Sequence, residues 1–364
     1  MKINTVLDSD FERFVDFSSK VYEGDPFWNP LSEKAILPLL SGESPFARDQ
    51  EASKGFWIEK DGRILARVFA QVDKEFQEFW KNPDLESEDA NLGHLFFFEA
   101  MPNCMDESRL LLNHAKSWLR ERGCDSARLS YLHCRQLPLT KTYHCKPTFL
   151  HTYNKPYYHE YLLGAGFFEE KTLHEFRVDF TQDLFKSYNQ IITEANQRGV
   201  YLESFNFQEW EKDTEKLRLL QNSTFGHYHW GSTQVDFEQM KLITKDIEDL
   251  IDPEFLVFAF CDSQLCGFIF GLPDLNQAVS ELSDDLDLEK ISHGVLMNMG
   301  VDPMSRGKRV APALLAKVCT AMIKKGYKSA SFSLILEENI PSRRAVISLG
   351  GVQEREFIVY RNNF

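Results

Sequence analysis

The sequence predicts an α/β (α+β) chain of two tandem domains, each a mixed, mostly antiparallel sheet flanked by helices. Three observations carry this. One order of elements (helix, hairpin, strand, helix, strand, helix, strand) occurs twice at a spacing of roughly 180 residues, too long for a solenoid and suited to a duplicated domain. The chain has 364 residues, 43% hydrophobic and 26% charged, enough for two ordinary cores in a water-facing protein. One stretch of the second half, Val295 to Leu315, runs from an apolar strand through a basic turn into a helix. The break falls near residue 182, giving domains 1–181 and 182–364.

In the first half, apolar residues at 11, 14, 15, 17 and 21 mark an amphipathic helix with Ser9 or Asp10 as its cap. Four prolines between residues 26 and 50 give a wrapping loop with one short helix. Two strands flank Asp61-Gly62, a type I′ hairpin signal. Leu92 to Glu99 is a strand. Asp106 to Arg122 is a helix with an acidic start, a basic end and Gly123 beyond it. Ser126 to Tyr131 is a strand. Asn154 and Pro156 suit the start of the next helix, and Leu173 to Phe180 alternates as a closing strand.

The second half repeats the order. Helices at 180–197 and 210–223 precede a hairpin around Asp262-Ser263. An acidic insertion fills 272–292. Then come the strand 295–301, a helix 310–325 closed by Gly326, a strand 329–336, a short helix 339–349 and a last strand 357–360.

Charge excludes some partners. The net charge of −14 would repel a polyanion, so general nucleic-acid binding is not expected. The seven Cys are scattered and odd in number, the N-terminus does not read as a signal peptide, and no apolar run is long enough to span a bilayer. A cytoplasmic protein without integral membrane association is expected; the oligomeric state is not legible. His133-Cys134, His144-Cys145, His151 and His159 match no usual zinc-ligand spacing, so no metal is expected.

Against that acidic background the turn Arg306-Gly307-Lys308-Arg309 stands out. It opens a helix, whose first backbone N–H groups lack partners and whose dipole favours negative charge. A pyrophosphate requires that chemistry.

The run Val295–Val301, Asp302–Arg309, Val310–Lys325, Ser329–Leu336 and Asn339–Gly351 resembles the GNAT (Gcn5-related N-acetyltransferase) superfamily. The resemblance implies that the strand before the basic loop splays from its neighbour. Acyl-CoA pantetheine would lie in that gap, along the backbone of Met299, Gly300 and Val301. The family's loop pattern, Arg/Gln-x-x-Gly-x-Gly/Ala, falls on Arg306, Gly307, Lys308, Arg309, Val310 and Ala311. Arg306 and Ala311 match, whereas Arg309 stands where the family has its middle Gly. Asn339 matches the family's Asn after the following strand, and Ser342 accompanies it on the donor side. At position 346, where many members place a Tyr acid, this chain has Val. The first half resembles the same fold with an acidic loop, Met101–Glu107, in place of the phosphate loop. It is read as a degenerate, acceptor-side domain, and the whole chain as a tandem-GNAT N-acyltransferase.

Amine acylation needs a base, a polarised carbonyl and a route out for the thiolate. Backbone N–H groups at 298–301 could polarise the carbonyl. Glu337, Glu338, His227 and His229 are candidate bases, and Tyr360 is a substitute acid. The expected activity is transfer of an acyl group, acetyl by default or longer, from acyl-CoA to the amine of a small or lipid-like acceptor. Alternatives are a catalytically inactive CoA-ester-binding module and a Fem-type aminoacyltransferase, which the charge disfavours.

Overall fold

The computed structural model describes residues 1–29, 33–43, 52–85, 87–129, 138–225, 230–245, 252–278 and 290–364. They divide into two units, Met1–Thr172 with Glu356–Phe364, and Leu173–Arg355. The sequence places the break after residue 181. In the structure a single strand, Phe168–Asp179, passes from the first unit into the second, and the chain's last segment falls with the first unit.

The first unit contains β1 (Lys2–Thr5), α1 (Phe11–Val21), α2 (Glu33–Ser41), β2 (Ser53–Lys60), β3 (Arg63–Gln71), α3 (Lys74–Trp80), β4 (Leu92–Ala100), α4 (Met105–Arg120), β5 (Ser126–Leu129), β6 (Leu139–Thr140), α5 (Tyr158–Gly164) and the start of β7 (Phe168–Asp179). Its sheet runs β1-β2-β3-β4-β5, then the segment from Glu356 onward. Asp61 and Gly62 both take positive φ, 52° and 77°, as a type I′ turn requires. The β4–β5 pair is parallel because α4 forms the crossover between them. Leu111, Leu112, Ala115 and Leu119 of α4 are buried on the sheet. Gly93 makes room for them: a Cβ there would come within 2.8 Å of Leu119.

The second unit contains the rest of β7, then α6 (Gln182–Gln197), β8 (Val200–Ser204), α7 (Trp210–Thr224), α8 (Phe237–Lys245), β9 (Leu256–Cys261), β10 (Gln264–Pro273), β11 (His293–Val301), α9 (Val310–Lys324), β12 (Ser329–Leu336), α10 (Ile340–Ser348) and the start of β13 (Val352–Asn363). Its sheet runs β8-β9-β10-β11-β12, then Leu173–Asp179 of β7. The β11–β12 pair is the parallel one. The same device recurs at Gly294, where a Cβ would fall 2.5 Å from Met322 of α9. Helix α9 is buried on nearly every side, as its apolar composition demands.

Several local expectations need correction. Asn154 does not cap a helix: its Oδ1 accepts from Thr140 N–H at 2.7 Å, and α5 begins at Tyr158. Asp10 makes no side-chain cap to α1; its carboxylate accepts from Leu7 N–H. β1, α3, β8 and α8 lie where the sequence signalled nothing.

Candidate active site

The second unit's parallel pair opens partway along its length. The β11–β12 register holds from His293↔Ser329 to Leu296↔Phe332, yet β11 continues to Val301 and β12 to Leu336. Both strands carry a defect at the point of parting. β11 shifts register against β10 between the partners of Phe270 and Gly271. β12 shifts against β7 between Phe332 and Ile335, with Leu334 at φ 54°. Bulges bend a strand and raise its twist, which separates the neighbours. Asn298 to Val301 therefore keep β10 on one side while the side toward β12 opens. Gly300 is the position there that tolerates no side chain: a Cβ would lie 2.3 Å from Thr224 Oγ1 and 2.7 Å from Phe268.

The closed end of the fork is pinned by His293. Its Nδ1 lies 2.7 Å from Ser329 Oγ and its Nε2 2.9 Å from Ser331 Oγ. Burial, reinforced by the Arg177 charge, pushes the His293 pKa down to about 4. At neutral pH the ring is uncharged, and it ties β11 to β12 through both nitrogens.

Beyond Val301 the loop is set by its own backbone. Asp302 N–H donates to the Cys266 carbonyl at 2.8 Å, and Asp302 Oδ1 accepts from Met304 N–H at 2.8 Å. Gly307 sits at φ 84°. Arg309 takes φ 65°, ψ 25°, the left-handed conformation that favours glycine. It thus keeps a glycine's backbone geometry at about 1 kcal/mol of strain. Its side chain turns away to Glu194 Oε2 at 2.9 Å. No side chain caps the N-terminus of α9, so the donors at Val310 and Ala311 remain available to an anion. Arg306 and Lys308 are exposed beside it. Lys308 pairs at 3.3 Å with Asp262, which is 80% exposed, a contact too solvated to hold it.

The other expected residues are placed as follows. Asn339 caps α10: its Oδ1 accepts from Ser342 N–H at 3.2 Å, which brings those two together and leaves the amide nitrogen of Asn339 to other partners. Glu337 and Glu338 are exposed just before α10. Val346 is buried among the core residues, so no hydroxyl stands at that position. Tyr360 belongs to the first unit and not to the donor-side half. It is fully buried, its hydroxyl is 2.8 Å from His159 Nδ1, and burial pushes its phenol well up. Those surroundings are the ones of a hydrogen-bonded core tyrosine. His227 and His229 lie outside the described residues, as do His133 and Cys134. Among the described residues no group of three His, Cys, Asp or Glu could hold a metal ion. No helix among them is long and apolar enough to cross a membrane.

Two sites in the first unit escaped the sequence. Arg67 and Glu99 face each other across β3 and β4, with Arg67 Nη2 2.9 Å from Glu99 Oε2. Arg128 and Arg361 share Asp89 and Glu170, with contacts of 2.6–3.2 Å. A lone acid within an apolar strand, as in Phe96-Phe97-Phe98-Glu99, was the available signal for the first.

Residues 215–350 match the family model for the acetyltransferase (GNAT) family. Protein YghO of Escherichia coli (strain K12) is 21% identical over 98% of this chain and 94% of its own length. A protein of Caulobacter vibrioides (strain NA1000 / CB15N) named bacterial ceramide synthase is 22% identical over 97% of this chain and 94% of its own. Among solved structures, the tandem GNAT protein from the clavulanic acid biosynthesis pathway superposes with a TM-score of 0.55 at 11% identity, covering 100% of this chain and 98% of that one. That last likeness is one of fold. Within this chain, then, residues 215–350 carry the match to the GNAT family, and the whole length shares the fold of a tandem GNAT protein.

Proposed function

We propose that the chain is an acyl-CoA-dependent N-acyltransferase whose acceptor is the amine of a lipid-like molecule. The observation that carries this is the uncapped N-terminus of α9 beside the opened β11 edge. The helix end offers N–H donors, a favourable dipole and the cations Arg306 and Lys308 to a pyrophosphate. The strand edge offers backbone groups to the amides of pantetheine and an N–H near Met299–Val301 to the thioester oxygen. The left-handed backbone at Arg309 supports the reading, because the loop keeps the course a Gly would give it.

In the reaction the amine nitrogen, once deprotonated, attacks the thioester carbonyl. The tetrahedral oxyanion collapses, the C–S bond breaks, and CoA leaves as thiolate or thiol. Glu338, Glu337, His227 and His229 are the proposed sources of the base. With Val346 where an acid would stand, the thiolate departs on its own acidity or takes a proton from water. The preference for a lipid-like acceptor and a longer acyl chain draws on the relative named ceramide synthase, since a ceramide is the N-acyl derivative of a long-chain amino alcohol.

A second reading, a CoA-ester-binding module without turnover, is favoured by that same buried Val346. Thiol release from acetyl- and palmitoyl-CoA, followed with a thiol reagent across primary amines of rising chain length, separates the two. Amine-dependent release that grows with chain length is expected. Tight CoA-ester binding with no release for any amine would establish the module instead.

A further inference from the structure

The β9–β10 hairpin carries two thiols that acyl transfer does not use. Cys261 ends β9, and Cys266 lies on β10. The register between the strands shifts between Leu265 and Gly267, which leaves Cys266 without a partner residue on β9 and at a bulge beside Cys261. Both side chains are buried, and the Cys266 thiol donates to the Cys261 sulfur at 3.0 Å. That separation is about 1 Å longer than a disulfide bond. The turn between them, Asp262 to Gln264, is exposed, so the pair lies just beneath the surface. The same hairpin holds the loop before α9. The Cys266 carbonyl accepts from Asp302 N–H at 2.8 Å, the Ser305 hydroxyl donates to the Cys266 sulfur, and Asp262 pairs with Lys308 at 3.3 Å. Cys266 thus belongs to the thiol pair through its side chain and to the anchoring of residues 302–309 through its backbone.

We propose that Cys261 and Cys266 are a redox pair that a hydroperoxide closes to a disulfide, loosening the loop 302–309. With hydrogen peroxide the Cys261 sulfur attacks one oxygen, the O–O bond breaks, and water leaves with the thiol proton, giving a sulfenic acid. The Cys266 sulfur then attacks the Cys261 sulfur, the S–O bond breaks, and a second water leaves. The pair gives up two electrons and two protons, and the peroxide takes them. Burial and the hydrogen bond to Cys261 push the Cys266 thiol up to about 12, so Cys261, the acceptor of that bond, is the sulfur that reacts first. Closing the bond draws Cys266 about 1 Å toward Cys261 and shifts the carbonyl that holds Asp302. The link and the loosened loop do not depend on what the second unit binds; an effect on acyl-CoA rests on the donor reading above.

The test treats the reduced full chain with hydrogen peroxide and then with dithiothreitol. A protease that cuts before Asp262 separates the two cysteines, so mass spectrometry shows whether a bridge joins their peptides. The bridge should form at the cost of two of the seven thiols. Amide hydrogen exchange at Asp302 to Ser305 should become severalfold faster, and acetyl-CoA affinity should fall about fivefold. Dithiothreitol should restore all of these. Cys261→Ser should form no bridge, bind acetyl-CoA as the reduced wild type does, and ignore peroxide; Cys266→Ser decides the matter if Cys261→Ser does not fold. Cys145→Ser, which removes a more accessible thiol, should respond as wild type does. No bridge in wild type, a bridge with unchanged exchange at 302–305, or a peroxide response that survives in the Cys261 and Cys266 variants would overturn the pair. A reduced wild type that binds no acetyl-CoA would count against the donor reading, and hydrogen exchange would then decide this one alone.

Discussion

The β4–α4 and β11–α9 units share a strand ladder but differ in the turn between strand and helix, Met101–Cys104 in the first and Asp302–Arg309 in the second, and the two turns carry opposite chemistry. Each strand makes a parallel ladder of the same extent, Leu92–Leu95 on Ser126–Leu129 and His293–Leu296 on Ser329–Phe332, and each then runs on past it. In the first unit the exposed strand end is closed by tyrosines of α5 and the residue before it. Tyr158 Oη accepts from Ala100 N–H at 3.0 Å, Tyr157 Oη donates to the Ala100 carbonyl at 2.8 Å, and Tyr161 Oη accepts from Cys104 N–H at 2.9 Å. Asp106 and Glu107 then fill the first turn of α4 with negative charge. In the second unit α10 puts Val346 in the core, and α9 opens with cations and no cap. The lesson is that the two units share the ladder, while side chains decide whether the backbone donors beyond it serve a ligand or the protein.

The largest effect we expect comes from the pin of that fork. The first unit has Leu92 against Ser126 where the second has His293 against Ser329. A buried His whose folded pKa lies below its unfolded value binds fewer protons when folded, so stability is full above about pH 6.5 and is lost as pH falls toward 4. Over that window the loss from this group is about 3 kcal/mol. Urea unfolding at pH 7 and pH 4.5 should show a larger drop for wild type than for His293→Leu, which copies the first unit. Equal drops would mean that the imidazole is not the group responsible.

The next effect concerns the anion site. Arg306→Glu with Lys308→Glu gives the second unit the acidic character of the first unit's turn. Both side chains are exposed, so the fold should persist. Acyl-CoA affinity should fall about 30-fold, or about 2 kcal/mol, and the fall should shrink at high salt. Retained affinity at low salt would show that the backbone donors alone hold the pyrophosphate, or that it binds elsewhere.

Much of this comparison was legible in the sequence because it is local. The bounds of β12, Ser329 to Leu336, and the start of α9 at Val310 are legible because period and turn chemistry lie within a few residues. The Asp262-Ser263 hairpin was legible without a glycine; both residues take positive φ, 51° and 66°. What escaped depends on distant partners. Asn154 carries helix-start chemistry, but Thr140 claims its side chain. Tyr360 is near Val346 in sequence, but its strand pairs with β5 of the first unit. The Arg67–Glu99 pair needs the β3–β4 register before either residue stands out. Of the short elements, β1 and β8 form by pairing with β2 and β9, and α3 and α8 by burying Phe76, Trp80 and Met240; their own patterns are too brief to show it.

The smallest expected effect is the most discriminating for the phosphate loop. Arg309→Gly restores the residue that the family pattern carries there. It removes about 1 kcal/mol of left-handed strain. It also removes the Arg309–Glu194 pair, whose partners are 40% and 32% exposed, so that loss is worth at most about 1 kcal/mol. The greater freedom of Gly in the unfolded chain offsets part of the strain relief. The net change in stability should therefore stay within about 1 kcal/mol, and acyl-CoA affinity within about threefold, because the backbone already follows the glycine path. A tenfold gain in affinity would mean instead that the Arg309 side chain obstructs the donor. A tenfold loss would assign its guanidinium to the phosphates, drawn from Glu194 when the ligand binds. Arg309→Lys separates these outcomes from a backbone effect, since it keeps a charge and the same left-handed demand while losing the planar fork.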